Sequence, residues 1–570
     1  MESIRRTQNG IHFLKLKGSF DERVRAHASL LKSESQQGAL NVLAKKNEWT
    51  IRRGAGALES LPWLQSAVVW AYNQVLIPLL SKQLSPQEKK MIEITAEELE
   101  MSVDQVRKSV FQPDGIMLLS RTSVMKYLLK HQPIDGFLGC TSVVAFNEWT
   151  KNRRMLVARN MDYPVVGPWE KNTTVLVHEP SEKGELRHVG VTTAGVHSAG
   201  LTSMNDQGLT LSAHAHFGTD VSFKGKPILL IGDQVISHAK TIGQAVDIIK
   251  KYRRNANWTF VISSAKENDA VAVEMSPDKV FVRHAQDGFL AHTNYFHNKE
   301  MQKKEALISG AVRDDFEDRY HRARKTLLKD KGDLTFEHFI KVLGDRVDVQ
   351  CDLERVFGNT ISVVTTVKSV VFDPGEQKLW VSNKSKSPTG LGEFVEFDIN
   401  HFNWNEENSR SLPLYSPNAV KHTGLEQAIE HHREAYCHWH IKNDKEDFSE
   451  NTLIALRKAS RSYPEDGNLW VLNGIVAFKL NLIQEAMDCF EKALKTKLTN
   501  HILGVSQLML ARCYDLTNKR TQAKDLYRNY DSINEPRLRT AMRKGLHQKF
   551  RRNKISLLML DLQYPDLFHY

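Results

Sequence analysis

The period of the apolar positions changes twice along this chain. Up to about residue 136 they recur at helical spacing, as over residues 86–93 and 103–111. From about residue 140 to 400 they shorten into runs bounded by turn residues. Met155-Leu156-Val157-Ala158, Thr174-Val175-Leu176-Val177, Thr259-Phe260-Val261-Ile262 and Ala270-Val271-Ala272-Val273 each predict a strand. Ser369-Val370-Val371-Phe372, Asp373-Pro374-Gly375 and Lys378-Leu379-Trp380-Val381 predict a hairpin. Helices are expected over residues 242–253 and 313–329, so the middle third is a mixed antiparallel α+β domain. After the polar stretch 405–411 the helical period returns and holds to the end. The pattern divides the chain into a helical segment packing on the core (1–139), the α+β core (140–403) and a helical region (404–570).

The last region contains a repeat. Trp470, Gly474, Ala486, Phe490 and Ala493 place an aromatic and a small residue on one helix and an A-x3-F-x2-A pattern on the next. Ala511, Tyr514, Ala523, Tyr527 and Tyr530 repeat the offsets, and an upstream unit ends in Leu456, Ala459 and Pro464. Small residues let paired helices approach and aromatics fill the gap. The units lie about 34–37 residues apart, the spacing of a short tetratricopeptide-like solenoid, which suits a protein partner.

With 570 residues, 41% of them apolar and 25% charged, the chain has the composition of a globular protein of several domains. The N-terminus lacks the apolar stretch of a secretory signal, so a cytoplasmic location is the expectation. The most apolar run, residues 67–80, is shorter than the ~20 residues that span a bilayer and predicts a buried helix. Five widely spaced cysteines form no disulfide framework and no CxxC pair. The net charge of +11 is partly local: Arg537, Arg539, Arg543, Lys544, Lys549, Arg551, Arg552 and Lys554 crowd one late segment. That cluster is either a solvated helical face or a surface for an anionic partner such as a membrane. Nucleic acid is not expected, because no nucleic-acid motif accompanies it.

One thiol stands out. Cys140 follows Gly139 where helical sequence gives way to strands. Taken alone, a Cys entering a strand is a small buried hydrophobe. Gly139 lacks the Cβ that would hinder a side chain attacking its own preceding carbonyl. Arg159 and Asp162 follow on the next strand. A guanidinium beside a thiolate lowers its pKa, and a carboxylate can hold an α-amino group. Asn294, at the end of a further strand, carries an amide that can donate to an oxyanion. His214, His216, His292 and His297 lie near these motifs without a carboxylate or Cys at ligand spacing, so no metal or other cofactor is expected. His431, His432, His438 and His440 spread around a helix and are read as packing.

Seven marks occur in order: Gly18-Ser19-Phe20-Asp21-Glu22; Gly139-Cys140-Thr141-Ser142; Arg159-x-x-Asp162; Ser203-Met204-Asn205-Asp206-Gln207-Gly208-Leu209; Thr293-Asn294; Asp315-Phe316-Glu317-Asp318-Arg319; and Thr366-Val367-Lys368-Ser369-Val370-Val371-Phe372-Asp373. Together they resemble the Cys-type N-terminal-nucleophile hydrolases of the penicillin acyl-coenzyme A:6-aminopenicillanate acyltransferase branch. The resemblance runs from about residue 18 to 385. It implies an αββα sandwich and a precursor cut between Gly139 and Cys140. Cys140 would be both nucleophile and amine, Arg159 and Asp162 would position it, Asn294 would donate to the oxyanion and Arg319 would stabilise the site. Asn205, His214, His216 and Tyr295 are the candidate substrate-binding residues. Two departures stand out: Tyr295 follows the Thr-Asn pair where relatives carry His or Pro, and Ala213-His214-Ala215-His216 replaces a stretch that holds an oxyanion Asn in choloylglycine hydrolases. The implied activity is an amidase or acyltransferase acting on a small acyl-amide or acyl-thioester, acyl-CoA among them. The alternative is an inactive scaffold whose helical repeats bind a protein partner.

Overall fold

The computed structural model describes residues 3–53, 62–119, 139–306, 310–404, 412–418, 422–441, 448–557, 560–567 and 570. Residues Phe137 and Leu138 of the junction and the polar stretch 405–411 lie outside them.

The described residues form eighteen strands, in chain order. They are β1 (Ile4–Gln8), β2 (Ile11–Gly18), β3 (Gly139–Ala145), β4 (Leu156–Asp162), β5 (Thr173–Pro180), β6 (His188–Thr193), β7 (Thr202–Asn205), β8 (Leu209–His216) and β9 (Asn257–Ser264). The rest are β10 (Asp269–Met275), β11 (Val280–His284), β12 (Phe289–His292), β13 (Val347–Asp348), β14 (Leu353–Glu354), β15 (Thr366–Asp373), β16 (Lys378–Ser382), β17 (Phe394–Asp398) and β18 (Leu414–Tyr415). Nine form one sheet in the order β1-β2-β5-β6-β7-β8-β9-β10-β11, and seven form a second in the order β12-β3-β4-β15-β16-β17-β18. The expected hairpin is β15–β16, with Val370 opposite Val381 and Phe372 opposite Leu379.

Side-chain alternation stacks the sheets. Phe13, Val175, Val189, Val261 and Ala272 of the first meet Val144, Val157, Leu290, Val370 and Val381 of the second in one buried layer. The outer face of the nine-stranded sheet (Leu209, Leu211, Ala213, Phe260) packs on Ile231 and Val235 of the helix Ile228–His238 and on Ala245 and Ile249 of the helix Ile242–Lys251. The outer face of the seven-stranded sheet (Val143, Ala158, Val371) packs on Ala323 and Leu327 of the helix Gly310–Leu328 and on Phe339 and Ile340 of the helix Phe336–Leu343. The result is a helix–sheet–sheet–helix stack of α+β class.

The N-terminal segment differs from its helical expectation. It opens with the β1–β2 hairpin, in which Asn9 (φ 50°) and Gly10 (φ 80°) form a two-residue turn between Gln8 and Ile11. Asn-Gly is the residue pair such a turn favours, because both positions need positive φ. Strand β2 then pairs in parallel with β5, so sequence from both sides of residue 139 shares one sheet. The apolar run 67–80 also differs. It lies on two helices, Pro62–Ala71 and Ile77–Ser81, joined by a wide turn. Tyr72, Ile77 and Leu80 are buried, but Trp63 and Trp70 are 69% and 62% exposed. No helix among the described residues is long and apolar enough to cross a membrane.

Beyond residue 422 the chain folds into helix pairs: Thr423–His440 with Phe448–Ser462, Gly467–Lys479 with Ile483–Ala493, and Asn500–Leu516 with Arg520–Tyr527. Small residues lie where partners press closest. A Cβ on Gly474 would stand 2.8 Å from the Phe490 ring. The buried Arg355 fastens these helices to the core: Nε meets Asp348 at 2.6 Å and Nη1 meets Asp466 at 3.0 Å.

Another close approach seats the helix Ile228–His238. A Cβ on Gly232 would lie 2.1 Å from the Gly200 carbonyl oxygen, a backbone atom that cannot swing aside. Gly232→Ala is expected to lower unfolding free energy by about 3 kcal/mol, read as a fall in denaturant midpoint at unchanged slope.

Candidate active site

Strands β3 and β4 run antiparallel with Gly139 opposite Asp162, Cys140 opposite Met161 and Ser142 opposite Arg159. Val144 and Val157 lie in the layer between the sheets, so alternation turns Cys140, Ser142 and Arg159 to that same face. Thr141 and Val143 turn outward to the helices. Arg159 is therefore the diagonal neighbour of Cys140 on one face, and its Nη2 lies 3.3 Å from the Cys140 Sγ. The same Nη2 donates to the Ala213 carbonyl at 2.7 Å and Nη1 to the Leu201 carbonyl, which pins the guanidinium to β8 and to the approach to β7. The Cys140 thiol donates to the Ala213 carbonyl at 3.4 Å and is 5% exposed.

Asn294 and Arg319 hold the backbone of Cys140. The Cys140 N–H donates to Asn294 Oδ1 at 2.7 Å, and Arg319 Nη2 donates to that oxygen at 3.1 Å. Two donors meeting one atom require an oxygen there, which settles the orientation of the amide. Its Nδ2 donates to the Ala215 carbonyl at 3.0 Å. In this uncut chain Asn294 thus faces Cys140 with its acceptor, not with the donor expected for an oxyanion. Arg319 reaches in from the helix Gly310–Leu328. Its Nη1 donates to the Cys140 carbonyl at 2.8 Å and to Thr141 Oγ1 at 2.9 Å, and its Nε donates to Asp315 at 2.9 Å.

Asp162 completes the cluster from the strand end. Oδ1 accepts from Thr366 Oγ1 at 2.7 Å, whereas Oδ2 is buried with no hydrogen-bond partner among the described residues. That free oxygen faces the cleavage-candidate bond: a Cβ on Gly139 would lie 2.8 Å from it. Glycine is needed there for close approach.

Burial dominates the electrostatics. It pushes the Cys140 thiol up from its ordinary value, against the pull of Arg159. Asp162 is pushed up to about 6 by burial, with Arg319 opposing. Burial also opposes charge on Arg319, but Asp315 and Asp162 hold its pKa above the ordinary value.

The other candidates separate into two groups. His214 and His216 turn inward between the sheets as strand alternation implies. His214 Nε2 lies 2.8 Å from Ser142 Oγ, two residues from Cys140, and His216 Nε2 lies 2.8 Å from Thr259 Oγ1 and 3.2 Å from His292 Nε2. Burial lowers all three histidines, His216 to about 3, so they stand as neutral hydrogen-bonding rings beside the site. Tyr295 packs with Phe316, Val312 and Tyr564 beside His297, half-buried. Asn205 is elsewhere. Its Nδ2 donates to the Ile236 and Ala239 carbonyls at 3.0 and 2.9 Å, and its Oδ1 accepts from the Gln207 and Leu209 N–H groups. It shapes a turn and ties it to a helix end. Asp315, Thr366 and the Ala213 carbonyl join the site with no role expected of them from sequence, although Asp315 stands one helical turn before Arg319.

The Arg159–Asn294–Arg319 set falls within one recognised stretch. Residues 149–388 match the acyl-coenzyme A:6-aminopenicillanic acid acyl-transferase family. The match supports an enzyme of acyltransferase or hydrolase type for the middle of the chain. It contains Arg159, Asp162, Asn294 and Arg319 and begins after Cys140. No curated protein matches the chain.

The raised carboxyl gives a prediction of definite sign. Between the unfolded value near 3.8 and about 6 the folded protein binds the extra proton, so stability falls as pH rises through that window and the loss is complete above it. In a Cys140→Ala background, Asp162→Asn is expected to be more stable than its Asp162 parent by about 3 kcal/mol at pH 8, with the gain vanishing below pH 4. Paired thermal denaturations across that range check it.

Proposed function

We propose that the protein is a self-processing N-terminal-nucleophile enzyme in which Cys140 transfers acyl groups. The observation that carries the reading is the arrangement around the Gly139–Cys140 bond. A thiol lies beside a guanidinium, the Cys140 N–H is held by Asn294, and a buried carboxylate oxygen waits unpartnered at Gly139.

In the uncut chain the Cys140 nitrogen is an amide and has no basicity. Attack of the thiol on the Gly139 carbonyl carbon forms a C–S bond. Breaking the C–N bond passes the thiol proton to the departing nitrogen and leaves a thioester. Water then cleaves the C–S bond, giving a Gly139 carboxylate and the free thiol. The new α-amino group, with an ordinary pKa of about 7.7–8.0, falls beside Asp162 Oδ2 and Asn294 Oδ1 and can take the thiol proton. The resulting thiolate, beside Arg159, attacks a linear acyl-amide or acyl-thioester. The acyl-enzyme passes to water or to an amine. Asn294 Oδ1 orients the amine in this scheme. The neutral His214, bonded to Ser142, and His216, bonded to Thr259, are read as substrate-lining residues in this scheme.

Strand β2 lies in the same sheet as β5, so the two pieces stay together after the cut. The paired helices beyond residue 422 are read as a tetratricopeptide-like extension outside the chemistry.

Mass spectrometry of the purified protein tests the reading. The expected result is two fragments, one beginning at Cys140, that co-elute under native conditions and separate in denaturant, with Cys140→Ala giving one intact chain. An intact wild-type chain that also fails to take up label from an acyl-thioester would overturn it.

A further inference from the structure

The cluster of eight basic residues after Pro536 has no part in the chemistry above. The segment from Pro536 to Lys554 contains no acidic residue. Part of it closes a cavity of about 250 Å³ between the helices Asn500–Leu516, Arg520–Tyr527 and Pro536–His547. The charged groups lining that cavity are Arg512, Lys544, Lys549 and Lys554, all cationic.

Arg512 is the unusual member. It is 5% exposed, yet no carboxylate lies within ion-pair distance of it among the described residues. Its guanidinium stacks over the Phe550 ring, 4.7 Å from the centroid, and its Nη1 reaches only the Met509 sulfur at 3.7 Å. The nearest acid in sequence, Asp515, is already engaged by Arg520 Nη1 at 2.8 Å, Tyr527 Oη at 3.0 Å and the Phe550 N–H at 2.9 Å. A buried guanidinium normally has an anionic partner, because leaving it unpaired costs several kcal/mol. Lys549 donates to Asn518 at 2.7 Å, a neutral group, and Lys544 and Lys554 have no ion-pair partner among the described residues. Four cations converge on one space, the neighbouring carboxylate of Asp515 is already paired with Arg520, and Phe550, Tyr527 and Tyr570 supply the apolar walls.

We propose that this cavity is a binding site for a phosphate group, seated on Arg512 and ringed by Lys544, Lys549 and Lys554. A phosphate matches the site better than a carboxylate. It carries up to two negative charges against four positive ones, and its oxygens accept from a guanidinium fork and ammonium donors together. The volume suits a phosphate on a small carrier. That carrier is either a soluble phosphorylated compound or the head group of an anionic lipid, and the site chemistry is the same for both. The site is independent of cleavage at Cys140.

The test titrates full-length protein with inorganic pyrophosphate at fixed ionic strength, following thermal stability and heat of binding. Wild type is expected to saturate with a rise in Tm. Arg512→Met, which keeps the volume and removes only an unpaired charge, is expected to fold with unchanged or higher Tm and to bind at least about tenfold more weakly. Lys544→Gln with Lys554→Gln weakens binding likewise, whereas Arg551→Gln with Arg552→Gln, outside the cavity, leaves it unchanged. Vesicles of phosphatidylcholine with and without phosphatidic acid separate the two carriers. Sedimentation with phosphatidic acid that Arg512→Met abolishes identifies a head group, and pyrophosphate binding without sedimentation identifies a soluble ligand. Equal stabilisation by acetate, equal loss in the Arg551/Arg552 variant, or undiminished binding by Arg512→Met would overturn the proposal.

Discussion

A guanidinium with 1% exposure sits at the centre of this structure. Arg319 cannot lose its charge, so every N–H it carries into the core needs an acceptor. Those acceptors are the Cys140 carbonyl, Thr141, the Asn294 amide oxygen and Asp315, drawn from a strand, the segment after β12 and its own helix. Satisfying one side chain thus fixes the outer helix against the seven-stranded sheet and sets the backbone of Cys140. Losing Arg319 would leave Asp315 as an unpaired buried charge and would release Asn294 from one of the two donors that orient it.

The stacked sheets place the chemistry between two layers of apolar side chains. Cys140, Ser142 and Arg159 face β8 of the opposite sheet, whose Ala213 carbonyl accepts from both the thiol and the guanidinium. Polar atoms are tolerated there because most are paired. Asp162 Oδ2 is one of several exceptions, with Arg159 Nε, Ser212 Oγ and His214 Nδ1, and it alone among these is a carboxylate oxygen facing Gly139. The parallel pairing of β2 with β5 ties sequence from both sides of residue 139 into one sheet.

Much of this was legible in sequence where the signal is local. The hairpin β15–β16, the strands around residues 174, 259 and 270, and the small–aromatic pairing of Gly474 with Phe490 follow from period and turn residues. The β1–β2 hairpin was missed although Asn9-Gly10 announces it, because the helical period after residue 20 dominated the window. Arg159 and Asp162, three apart on a strand, point to opposite faces. Which of them meets the sulfur depends on β3 pairing with β4 in a particular register, and no single-strand pattern records that. Asn205 shows the strength of a local signal: Asn-Asp-Gln-Gly is a sound turn, and its amide oxygen accepts from the turn's own N–H groups. The basic cluster appeared as charge alone, and only packing showed that Arg512 is buried without an anion.

In the proposed cleavage the Cys140 thiol attacks the Gly139 carbonyl and a thioester forms. At neutral pH under native conditions hydroxylamine intercepts thioesters and leaves peptide bonds intact, whereas scission of Asn-Gly bonds such as Asn9-Gly10 and Asn473-Gly474 needs alkaline denaturant. The most direct measurement is the mass of the N-terminal fragment formed when freshly purified, incompletely processed protein is treated with it, with Cys140→Ala in parallel. The expected product is a fragment ending at Gly139 as its hydroxamate in wild type and none in the variant. A chain that stays whole in hydroxylamine, or a fragment that appears equally in Cys140→Ala, would contradict it.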